Sequence, residues 1–172
     1  MNTQTAPARW TKAVWALLLL TVSALASAQH RLDTSASPRQ QVAALQVLDE
    51  RGQPFGSNPF AQQANAHFGR VEFRLSTPAF MGRRARIDLL LAPQVPGLRI
   101  ASGLTYHWRG LDGVLSGQVI PGQRQTIWTG LIEQPFTTLA LELGMRLDLS
   151  AMGDWNGGHF GVEPTFELEL LP

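Results

Sequence analysis

The chain has 172 residues, 44% of them hydrophobic, no cysteine, and 14 lysines and arginines against 13 acids. The lack of cysteine excludes disulfides, thiolate metal ligands and a cysteine nucleophile, so stability rests on packing. The charge balance argues against a nucleic-acid binder, which needs a basic excess to neutralise phosphates.

Residues 1–28 have the three parts of an export signal. Arg9 and Lys12 lie in a polar start, Ala13 to Val22 is apolar, and Ala26-Ser27-Ala28 is a small-residue exit of the A-x-A type. The apolar run is about half of the roughly 20 residues that a bilayer span needs. Cleavage after Ala28 is therefore expected, leaving one domain-sized chain in the periplasm, at the cell surface or outside the cell. Beyond the signal, 12 arginines face 13 acids, a net charge of −1 with histidine neutral. No cysteine follows the signal to carry a lipid.

Residues Gln29 to Gln41 are polar, include Pro38 and offer little to a core, which predicts a flexible arm that orders in an assembly. Val42 to Leu48 is an apolar run read as a strand, although its length suits either period. Asp49 to Asn65 holds Gly52, Pro54, Gly56 and Pro59, the chemistry of a loop, with Phe55 and Phe60 expected to pin it to the core. Alternation then begins: Val71, Phe73 and Leu75 point one way, Glu72 and Arg74 the other. Ala85 to Ala92 repeats the pattern through Ile87, Leu89 and Leu91.

Further strands are expected at Leu98 to Trp108, Val114 to Val119, Thr126 to Ile132, Thr137 to Leu149 and Phe160 to Leu171, separated by the turn signals LDG, IPGQ, EQP and GDWNGG. In the first of these, period two buries Tyr106 and Trp108 and exposes His107. In Thr137 to Leu149 the apolar residues keep odd numbers through Gly144, so that glycine marks a bend or a close approach rather than a phase shift. In the last, Glu167 and Glu169 form a face expected to be wet. The pattern predicts an all-β domain over residues 42–172, an antiparallel β-sandwich of about seven or eight strands, immunoglobulin-like or related.

Two groups stand out as ligand or partner contacts. Asp154, Trp155 and His159 lie in the Gly-rich segment GDWNGGHFG, which suits a loop presenting a ring to carbohydrate; the alternative is a long turn with Trp155 capping the core. Arg83, Arg84 and Arg86 suit an anionic surface or sugar; the alternative is a solvated strand edge that blocks unwanted pairing. His67, His107 and His159 have no metal-ligand spacing and read as isolated histidines. Carboxylate pairs such as Asp112 with Asp154 or Glu133 are not specific, and no G-x-S-x-G elbow occurs. No catalytic, cofactor or metal residue is assigned, and the chain is read as a non-enzyme.

These features predict an exported structural or adhesive subunit of a cell-surface assembly, fimbria-like, whose partners are other subunits or itself. Contact would come by strand addition or head to tail. For the latter, six arginines face Glu72 and Asp88 between Arg70 and Arg99, while seven acids face Arg146 between Gly130 and Pro172. A soluble periplasmic ligand- or carbohydrate-binding module is the alternative. A small outer-membrane barrel, and with it membrane association, is a second alternative; one tyrosine and three tryptophans after the signal are few for two aromatic girdles.

Overall fold

A computed structural model of the protein describes residues 29–37, 46–153 and 160–172. The expected signal at 1–28, residues 38–45 with the start of the Val42 to Leu48 run, and residues 154–159 lie outside it. The strands are β1 (Gln29–Arg31), β2 (Val47–Leu48), β3 (Gln63–Ser76), β4 (Arg84–Leu90), β5 (Leu104–Gly110), β6 (Gly117–Val119), β7 (Arg124–Leu131), β8 (Phe136–Asp148) and β9 (Thr165–Leu170). Among the described residues no α-helix occurs.

The strands form two antiparallel sheets packed as a sandwich, with orders β1-β9-β4-β7 and β2-β3-β8-β5-β6. The pairs β1·β9, β3·β8, β4·β7 and β5·β6 are nested, so the chain is one long hairpin doubled back on itself. Rolling that ribbon sends alternate pairs into opposite sheets and brings β9 beside β4 and β8 beside β5. This is the connectivity of a jelly roll. It corrects the immunoglobulin-like expectation, whose order is A-B-E-D over C-F-G. Alternation specifies which face of a strand is buried, but not which edges meet.

The core lies between the sheets. Val71, Phe73 and Leu75 of β3 and Leu139, Leu141 and Leu143 of β8 meet Ala85, Ile87 and Leu89 of β4 and Phe166 and Leu168 of β9, all buried. The rings of Phe73 and Phe166 lie 4.9 Å apart across the two layers. Each large apolar side chain buried here stabilises the fold by about 1.5–3 kcal/mol. An apolar interior with charged outer faces is the reverse of a membrane barrel, which is polar inside and apolar outside.

A bulge explains why β3 starts earlier than its alternation predicts. Ala66 faces inward and His67 outward, but the pairing passes from His67↔Gly144 directly to Gly69↔Leu143, leaving Phe68 as the extra residue. Phe68 packs against the core and Gly69 takes a φ of 70°. The inward phase thus changes from even to odd residues, so 63–67 and 71–75 cannot be read as one strand by a single period.

Further expectations are corrected. In the stretch read as an arm, Gln29–Arg31 pairs with β9 and Leu32 is buried in the main core, its N–H donating to the Phe166 carbonyl. A short polar strand needs only one apolar anchor once an edge is available to receive it. Phe60 does not pin its loop; it is 86% exposed. That loop is held instead by Asp49, only 2% exposed, which accepts hydrogen bonds from the Asn58 side chain and the Gln53 and Arg51 backbones. These bonds, that from Asn58 foremost, hold the Asp49 carboxyl below the usual carboxylate range.

The basic and acidic stretches do not fold to opposite ends. Nested pairing lays early strands against late ones, so Arg86 of β4 pairs with Glu169 of β9, and Arg109 of β5 reaches Glu142 of β8 at 2.7 Å. Glu167 and Glu169 are consequently covered rather than wet, with side chains 26% and 17% exposed.

Candidate functional site

The register of the five-stranded sheet assembles a polar cluster on its outer face. One row across the sheet is Asn65–Arg146–Thr105, and the next is His67–Gly144–His107–Gln118. Period two points these residues away from the core, while Tyr106 and Trp108 on either side of His107 are buried as expected. Burial pushes the Tyr106 phenol well above its ordinary range. The Trp108 indole N–H donates to the Leu115 carbonyl at 2.7 Å, fixing the inner side of β5 beneath the site.

Gly144 decides the shape of the cluster. It lies between His67 and His107, and a Cβ there would overlap Nε2 of His107 and come within 2.8 Å of its Cε1. The His107 ring therefore lies over the β8 backbone, in space that only glycine leaves. This is the close approach expected at Gly144. The His67 and His107 rings face each other edge-on with centroids 6.4 Å apart. The bulge at Phe68 adjoins His67 and sets the direction of this end of β3.

Asn65, His67, Thr105, His107, Gln118 and Arg146 line an open hollow of about 370 Å³. The lining supplies amide, imidazole, hydroxyl and guanidinium groups and no carboxylate. Arg146 has no ion-pair partner among the described residues. Partial burial, followed by the neighbouring His67 and Arg146 charges, lowers the pKa of His107 below its ordinary 6.5. Such a site favours a ligand that brings negative charge and hydrogen-bond acceptors. Among the described residues no cluster of three or more His, Cys, Asp or Glu side chains is arranged to hold a metal ion.

Of the residues singled out in the sequence, Arg83, Arg84 and Arg86 lie on or beside β4 of the other sheet. Asp154, Trp155 and His159 fall outside the described residues. Arg83 and Arg84 are exposed, while Arg86 is partly covered by its contacts with Glu169 and Asp88. The edge reading of this triplet is corrected, because β4 is interior to its sheet, flanked by β9 and β7. The Arg83 and Arg84 carbonyls accept from Ile132 and Leu171. The triplet forms no common site: Arg86 is committed to carboxylates within the sheet.

His67 and His107, read as isolated, are brought together by the β3-β8-β5 pairing. Their separation of 40 positions gives no ligand spacing. The glycine in an otherwise alternating strand was the local signal, and it identified the approach but not the group approaching. No known protein family, curated protein or solved structure matches this chain.

Proposed function

We propose that this protein is an exported, non-catalytic binding module that captures an acidic saccharide or similar anionic, hydroxyl-rich ligand in the His67–His107–Arg146 hollow. The convergence of two imidazoles and an arginine with no carboxylate partner, over a glycine that makes room for one ring, carries this reading. Asn65, Thr105 and Gln118 add neutral donors and acceptors suited to sugar hydroxyls. Export rests on the signal read in residues 1–28.

Two observations favour this reading over the fimbria-like subunit. The first residues of the supposed exchange arm already occupy their own sheet, and the charge stretches meant for head-to-tail contact lie side by side in the fold, with Arg86 paired to Glu169. Calorimetric titration with galacturonate tests the proposal. The reading requires binding that falls at least about tenfold in Arg146→Ala, the usual scale for losing a charge-assisted hydrogen bond. Equal binding by this variant and the parent protein would remove the hollow as the site.

A further inference from the structure

We propose that the ligand is a linear acidic polysaccharide lying along β3 and β8, held at one end by the His67–His107–Arg146 hollow and at the other by Arg74 and Phe136. This deepens the reading above and depends on it.

The second contact is on the same outer face. The register places Arg74 opposite Thr138, and both line an open hollow of about 440 Å³ with Glu72, Gln134, Pro135 and Phe136. The Arg74 guanidinium stands 4.4 Å from the centroid of the Phe136 ring, a cation–π contact that holds its charge over this hollow. Phe136 is 37% exposed, so part of its ring remains available to a sugar face. Gln134 and Thr138 again supply neutral polar groups.

From Thr138 to Gly144 the strand runs about 20 Å at the ordinary rise, farther than one sugar ring extends. The ground between is ion-paired, with two arginines set against three carboxylates and no arginine left free among the described residues there. Arg109 pairs with Glu142, and Arg70 with Glu72 at 3.0 Å and Asp112 at 3.5 Å. Arg74 and Arg146, at the two ends, have no carboxylate partner among the described residues. Two separated cations joined by an ion-paired polar track, itself slightly acidic, match a chain whose charges are spaced apart and whose hydroxyls fill the interval. They match a nucleic acid poorly, because continuous phosphates need a continuous basic groove and stacking rings. Two linked contacts on one polymer also make the second one intramolecular, which raises affinity without any new group.

The test compares galacturonate with oligogalacturonates of increasing length on the full domain, by calorimetry and by NMR shifts of the His107 and Gly144 amides. Affinity should rise with length and then level off. Arg74→Ala should lower long-oligomer affinity about tenfold and flatten the rise of affinity with length. Phe136→Leu, which removes the ring but keeps apolar volume, should give a smaller loss of the same selectivity.

Monomer binding with no length dependence, or an Arg74→Ala variant that binds long oligomers as well as the parent, overturns the extended site and leaves the hollow standing. No binding of either probe overturns both readings. Tighter binding of polyphosphate or single-stranded DNA than of the oligogalacturonates overturns the saccharide assignment.

Discussion

Gly144 pairs directly with His107 in the β5·β8 ladder, and the absence of a side chain at 144 is what allows the His107 ring to lie across the strand toward His67. In Gly144→Ala, the new methyl meets the far end of a side chain that can turn away. The expected outcome is a folded protein with little change in melting temperature, a displaced His107 ring by NMR, and lost ligand affinity. Unchanged affinity would mean that the ring's position is incidental.

Gly110→Ala provides the contrast. A Cβ at 110 would run into the Val114 carbonyl and come within 2.9 Å of the Leu115 carbonyl carbon, and backbone cannot swing aside. Denaturant unfolding should show a loss of about 1–3 kcal/mol from overpacking. A neutral result would show that the turn after β5 adapts.

The pH response should have opposite signs for folding and for binding. The pKa of His107 is lower in the folded protein than its ordinary 6.5, so the unfolded chain takes up the proton more readily. Its contribution to stability is therefore complete above pH 6.5 and is lost as pH falls through the folded pKa. An anion in the hollow favours the protonated ring, so affinity should rise over the same descent. The groups facing His107 are His67, Arg146 and Gln118. Melting temperature and titration across this range, repeated in His107→Gln, check both trends. An affinity profile identical in that variant would assign the pH effect to another group.

The N-terminal strand should behave as part of the domain. Leu32→Ala removes a side chain that is only 5% exposed and should cost about 2–3 kcal/mol. Deleting residues 29–37 should lower stability more, because it also uncovers the β9 edge. If deletion leaves unfolding unchanged but alters oligomer size in light scattering, the strand serves assembly instead.

Phe166 is fully buried and meets Phe73 between the layers, so Phe166→Ala should cost about 3–5 kcal/mol in equilibrium unfolding. A loss below about 1 kcal/mol would place the core elsewhere.

The binary pattern of the sequence was enough to mark β4, β7, β8 and β9, and to send Tyr106 and Trp108 inward and His107 outward, because period two is a local property of extended backbone. The same locality set its limits. The bulge at Phe68 interrupts the period and hid the first part of β3, and the polar residues of β1 gave no sign that an edge of β9 would receive them. In β5, the 3-10 turn at Ala101–Gly103 delayed the strand to Leu104, past where the apolar pattern begins.

An all-β, cysteine-free sandwich was thus determined by alternation, turn residues and composition, each of which acts over a few residues. Strand order, the placing of the basic stretch beside the acidic one, and the meeting of His67, His107 and Arg146 were decided by tertiary structure. All three depend on which strand edges pair, and the nested hairpin brings together edges far apart in the chain, where no local energy term records the choice.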